Sequence, residues 1–206
     1  MKKTARIFYV LATVLSLSAC ASDALKDVVL ERSDELTSRP KWAKDENTLT
    51  VGKDKKVYML GFHQMPATAN TRLSTGYRIA ENNAKTALAG AIEQRLNAFF
   101  QNAEEGTEVG PEQVRFIGTE ATNLLANGIA PANRYWEKVS RVVDVNSGER
   151  DMVYRIYARI SMDEARFNDA IKRAIEKNAG KKTISEDLKK RADAIADQVT
   201  GQLPTE

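Results

Sequence analysis

The chain has one cysteine, one histidine and almost no charge imbalance, and each scarcity removes a class of chemistry. With Cys20 alone there is no internal disulfide, so stability comes from packing. One Cys and one His cannot supply the ligand set of a zinc site. Any Ser-His-Asp triad would have to use His63, and no Gly-x-Ser-x-Gly elbow is present. Phosphate-cradling and dinucleotide fingerprints are also missing. No acidic loop carries the calcium pattern with its Gly and terminal Glu. Glu104 and Glu105 stand beside Gly106 in a polar turn, where nothing would split their pKa values. His63 reads as a strand-end or loop residue. The expectation is a non-enzyme with no catalytic residue, no metal and no cofactor. Long apolar runs are lacking as well. Ile7 to Leu17 falls short of the ~20 residues that a membrane-spanning helix needs.

What is present starts at Cys20. Lys2, Lys3 and Arg6 form a positive n-region, an apolar stretch follows, and Leu17-Ser18-Ala19-Cys20 closes it. That is the layout of a bacterial lipoprotein signal. It predicts lipidation at Cys20: a diacylglycerol on sulfur, cleavage before the residue, and acylation of the new amino group. Several acyl chains on one residue meet the need for more than one lipid signal. Neither Ala21 nor Ser22 is acidic, which points to the outer membrane, facing the periplasm. Removing the signal also removes the charge excess. The whole chain holds 31 Lys and Arg against 28 Asp and Glu; residues 1–19 hold three bases and no acid. The remainder is balanced, so no positive field draws nucleic acid.

Pattern divides the rest. Residues 1–19 are the signal, 20–50 a lipidated tether, 51–180 an α+β domain and 181–206 a C-terminal amphipathic helix and tail. Within the tether a short helix over Ala24–Leu36 is expected, with Leu25, Val28, Val29 and Leu36 on one face. Val57 to His63 reads as a strand, and Gln64 to Asn70, with Pro66, as a loop. Thr75 to Phe100 reads as a long helix. Ala80, Ala84, Ala87 and Ala91 form a small-residue stripe on it, continued by Leu88, Ile92, Leu96 and Phe99. Pro111 opens a second helix whose apolar face is Val114, Ile117, Ala121, Leu124 and Leu125. Tyr135–Val145 and Met152–Ser161 form a hairpin across Asn146 to Arg150. Ser161 and Glu164 read as a capping box for a helix with Phe167, Ala170, Ile171, Ala174 and Ile175 inward. Thr183 and Glu186 read as a second box. The tail helix then carries Ile184, Leu188, Ala192, Ile195 and Val199 on one face, which its own domain or another subunit must cover, the second being slightly favoured. The fold class is α+β: a small antiparallel or mixed sheet in β-α-α-β-β-α order, with helices on one face and a C-terminal amphipathic helix.

Two features bear on binding. Arg155, Tyr157 and Arg159 alternate with the apolar residues of the last strand, and Arg141 stands on its partner. That face is either solvated or an interaction face. Trp42, after Pro40, either docks onto the domain or anchors a partner.

Taken in order, Arg39-Pro40-Lys41-Trp42, the strand ending Leu60-Gly61-Phe62, the Ala-rich helix Ala80–Phe99 and the Arg/Tyr hairpin running into a helix resemble the LPP-type lipoprotein family. This family of small lipoproteins includes flagellar basal-disk relatives. The resemblance covers roughly Pro40 to Asn178, plus the lipobox. It implies a β-α-β-β-α core, an outer-membrane address and a role in envelope structure, flagellar accessory rings or surface exposure. The expected function is a structural, assembly or interaction role, with the membrane as one partner and a second copy or an envelope protein as another. The alternative is a periplasmic binding module for peptidoglycan or a small anionic ligand, with Arg141, Arg155 and Arg159 holding carboxylates.

Overall fold

A computed structural model describes residues 26–44, 49–102, 109–179 and 190–205. The signal, Cys20, Glu104, Glu105, Thr183, Ile184, Glu186 and Leu188 lie outside them. The fold is α+β, with four α-helices among the described residues and a five-stranded antiparallel sheet. The strands are β1 (Val28–Arg32), β2 (Leu49–Val51), β3 (Lys56–Pro66), β4 (Ala130–Asp144) and β5 (Glu149–Asp163). They lie in the order β1-β4-β5-β3-β2. The helices are α1 (Leu73–Asn102), α2 (Pro111–Leu125), α3 (Glu164–Ala179) and α4 (Ala192–Gly201).

Chain contacts divide the protein into two compact units. The smaller takes residues up to Thr37, with Gln64–Thr71 and Trp136–Arg155; the larger takes Ser38–His63, Arg72–Tyr135 and the residues from Ile156 on.

In the larger unit the core is made by α1 lying on β3. The buried stripe Ala84, Leu88, Ile92 and Leu96 shares one cluster with Val57 and Met59. Gly61 sets the approach. A Cβ built there would stand 2.0 Å from the Ala80 carbonyl oxygen and 2.6 Å from the Ala84 nitrogen, so only hydrogen fits. Ala87 and Ala91 are half-buried against the same cluster. α2 packs on α1, α3 on α2, and α4 on α3.

The tail helix corrects the expectation of a second subunit. Ile195 and Val199 are each 1 % exposed and belong to the same cluster as Phe167 and Ile171. Lys172 pairs with Asp193 at 2.6 Å, and Arg95 donates to the Gln202 carbonyl at 3.1 Å. Beyond the helix, the Val51 N–H donates to the Pro204 carbonyl at 2.9 Å. The described part of the tail therefore completes its own domain.

The Ser161–Glu164 capping box does not form. β5 continues to Asp163 because Ile160 and Met162 keep the alternation that buries them. The first helical N–H, that of Glu164, donates instead to the Lys55 carbonyl at 3.0 Å.

In the smaller unit β1 replaces the expected tether helix. Val28 pairs with Ser140, Val29 with Val139, Glu31 with Lys138 and Arg32 with Glu137, with a bulge at Leu30. Two adjacent β-branched residues suit a strand, and a ladder partner more than a hundred residues away decides the matter. The expected loop from Gln64 is strand as far as Pro66. The turn between β4 and β5 contains Gly148 at φ +71°, a left-handed conformation that glycine adopts freely.

Two substitutions test the core. Gly61→Ala forces α1 off the sheet and is expected to cost about 1–3 kcal/mol or more. Ile195→Ala is expected to cost about 2–5 kcal/mol and to leave the mass in solution unchanged. Calorimetry with light scattering reads both. Wild-type melting in either variant would mean that these faces are not packed as described.

Candidate functional site

The residues singled out for binding fall into two groups, one in each unit. In the larger unit β3 turns Tyr58, Leu60 and Phe62 to the face opposite Val57 and Met59, as alternation requires. The segment around Pro40 forms a 3-10 turn at Lys41–Ala43, closed by the Ala43 N–H donating to the Pro40 carbonyl at 3.0 Å. Ala43 is fully buried in a second cluster with Leu60, Tyr135 and Tyr157, and Trp42 and Phe62 pack against it. Trp42 thus sits against its own domain.

Tyr157 and Arg159 are buried in this group rather than solvated, at 2 % and 7 % exposure. The Arg159 guanidinium stacks 3.7 Å from the Tyr58 ring centre and 5.8 Å from that of Trp42. Arg39 covers Tyr157 at 4.9 Å. Phe62 and Tyr135 touch the same Tyr157 ring at centroid distances of 5.1 and 5.8 Å. The Tyr58 hydroxyl donates to Asp54 at 2.6 Å. Burial, reinforced by that bond, pushes the Tyr58 phenol above its ordinary pKa, so it stays a neutral donor. Stacked guanidinium and aromatic rings are a positioning device; nothing in the set is a nucleophile poised beside a base.

In the smaller unit Arg141 and Arg155 are held by carboxylates. Arg141 forks onto Asp151, with Nε to Oδ1 at 3.0 Å and Nη2 to Oδ2 at 2.5 Å. Arg155 pairs with Asp27, whose other oxygen accepts the Val142 N–H at 3.0 Å. Arg150 donates to the carbonyls of Ser140 and Lys26, at 3.1 and 2.9 Å. These bonds fasten the start of β1 to the hairpin. Trp136 and Tyr154 meet edge to face at 5.3 Å.

Tyr157 and Arg159 are packing residues of the larger unit, and Arg141 and Arg155 are ion-paired in the smaller one. Sequence reasoning missed Asp27, Asp151, Arg39 and Tyr58 as their partners. Only Tyr58 left a signal, since the run from Val57 to Leu60 is apolar at every position, as a strand covered on both faces would be. His63 is half-buried within β3, three residues before its end, which bears out the strand half of its reading. Among the described residues, no group of three His, Cys, Asp or Glu is arranged to hold a metal ion, and no helix is long and apolar enough to cross a membrane.

Comparison with protein-family models returns no match, and neither does comparison with curated proteins.

The Asp27 clamp has a pH signature. Burial pushes its carboxyl up, but the Val142 N–H and the Arg155 guanidinium outweigh that and hold it below the usual aspartate value of 3.8. A depressed folded pKa gives stabilisation that is present above the unfolded value and lost as pH falls through the folded one. Hydrogen exchange at the Val142 amide is expected to lose protection in that acid window, and Asp27→Asn to remove the pH dependence. Equal acid dependence in both proteins would show that the carboxylate does not hold this end of β1.

Proposed function

We propose that the chain is a lipid-anchored lipoprotein of the cell envelope, acylated at Cys20, with a structural, assembly or interaction role rather than a catalytic one. The observation that carries this reading is the sequence from Lys2 to Cys20: three early bases, an apolar run too short to span, and Leu-Ser-Ala before the sole cysteine. The non-acidic Ala21 and Ser22 support an outer-membrane address facing the periplasm. The resemblance to the LPP-type lipoproteins supports the same address and an envelope role.

The arginines also favour this reading over a binding module. A ligand carboxylate would have to displace Asp151 from Arg141 and Asp27 from Arg155, or reach Arg159 between Tyr58 and Trp42. Each exchange trades one ion pair for another, with little net gain. Partners are accordingly expected to bind through other surfaces.

Metabolic labelling with a radioactive fatty acid tests the proposal. The wild-type chain is expected to take up label and to sediment with membranes. Cys20→Ala is expected to take up none and to accumulate uncut or to be released. A labelled, membrane-bound Cys20→Ala protein would overturn the reading.

A further inference from the structure

Six of the eight large hydrophobic side chains that stand exposed among the described residues belong to the smaller unit: Val28, Leu30, Leu36, Val143, Val145 and Met152. Such concentration is unlike the single scattered exposures that need no explanation. Val145, the most exposed at 57 %, and Val143, at 51 %, sit where β4 runs into its turn, and Leu30, at 52 %, lies in β1. Asp144, between them, has its carboxylate turned to local use, accepting the Asn146 N–H at 2.8 Å.

The direction of β1 fixes which end of this unit the N-terminal chain approaches. β1 runs antiparallel to β4, so its first residues lie toward the β4–β5 turn: Val28 opposite Ser140, Asp27 on the Val142 N–H, the Lys26 carbonyl on Arg150. Cys20 is six residues upstream of Lys26. Whatever its path, a chain of that length spans at most ~22 Å. A lipid on Cys20 would therefore hold Lys26, beside the turn end of the smaller unit, within about 22 Å of a membrane.

We infer that the β4–β5 turn end of the smaller unit rests on the bilayer that holds the Cys20 lipid, with Val143 and Val145 entering its interface. The inference rests on the lipid-anchored reading. It commits to a lipid surface because the chain's own anchor brings that surface to the exposed valines. It predicts shallow contact, about 5–10 Å into the headgroup and acyl boundary. The unit's described residues hold six Lys and Arg against eight Asp and Glu, so no positive field draws anionic lipid and the contact is apolar. It would fix the orientation of the smaller unit on the membrane.

The full lipidated chain offers a clean probe, because the sulfur of Cys20 is consumed by lipid and an added thiol is unique. Val145→Cys and, as control, the exposed Phe116→Cys on α2 are labelled with an environment-sensitive fluorophore. Both are reconstituted into vesicles of phosphatidylethanolamine and phosphatidylglycerol. The label at 145 is expected to shift to the blue, to resist iodide severalfold better than the label at 116, and to be quenched by nitroxide lipids. Protein that floats with the vesicles while its 145 label stays as open to iodide as the control overturns this inference alone. Shielding at 145 that grows with protein concentration before any vesicle is added assigns the surface to a second copy and overturns it too. Protein that does not float at all overturns the anchored reading itself, and this inference with it.

Discussion

The fold depends on how closely α1 can lie on β3. A helix carrying only Ala80 and Ala84 at the crossing, over a strand carrying Gly61, brings backbone against backbone. That approach lets the larger residues of the same stripe, Leu88, Ile92 and Leu96, reach full burial beyond the crossing. The other helices follow from it. α2 packs on α1, α3 on α2 and α4 on α3, so each helix is placed by the one it packs on. Close packing of this kind forgives little: added volume at the crossing has no side chain to displace, only main chain.

The opposite face of β3 is held by different physics. Burying the Arg159 guanidinium costs desolvation, and two aromatic faces return part of it, at up to about 2 kcal/mol when water is excluded. Arginine suits the position because its planar, weakly hydrated head stacks as a lysine ammonium cannot. The consequence is that the Arg39–Ala43 segment becomes a structural layer. Trp42, Arg39 and Ala43 roof a sheet face that would otherwise expose Leu60, Tyr135 and Tyr157. Residues read as a tether belong instead to the folded domain, and so do Leu49–Val51 in β2 and Val28–Arg32 in β1.

The parts legible in the sequence were those encoded by local repetition. The α1 stripe and the α2 and α3 faces have helical spacing, the hairpin has its Gly-containing turn, and the α+β class follows from their order. The illegible parts are those decided by distant partners. β1 is five residues long and becomes a strand only because β4 supplies its ladder. The Arg/Tyr alternation of β5 announced two faces but not what covers the second, since the cover comes from Arg39 to Ala43, more than a hundred residues earlier. Ion pairs are worse still. Nothing near Arg155 in sequence points to Asp27. The tail helix is legible as amphipathic, yet amphipathicity names no partner, and only the packed positions of Ile195 and Val199 show that its own domain covers the described part.

The two strands that flank the sheet also show how one chain protects open edges by different means. An edge strand presents unpaired N–H and carbonyl groups that can recruit another chain. At β2 the answer is coverage: the Val51 N–H donates to the Pro204 carbonyl, so the chain's own last residues occupy that position. At β1 the answer is irregularity. The bulge at Leu30 breaks the ladder to β4 after two pairs and makes this edge irregular. Asp27 turns its carboxylate to the Val142 N–H and so satisfies main chain beyond the last ladder pair. Both devices work against open-ended strand addition. The surface left for association is therefore side chains, not backbone, which agrees with the concentration of exposed apolar side chains in the described residues of the smaller unit.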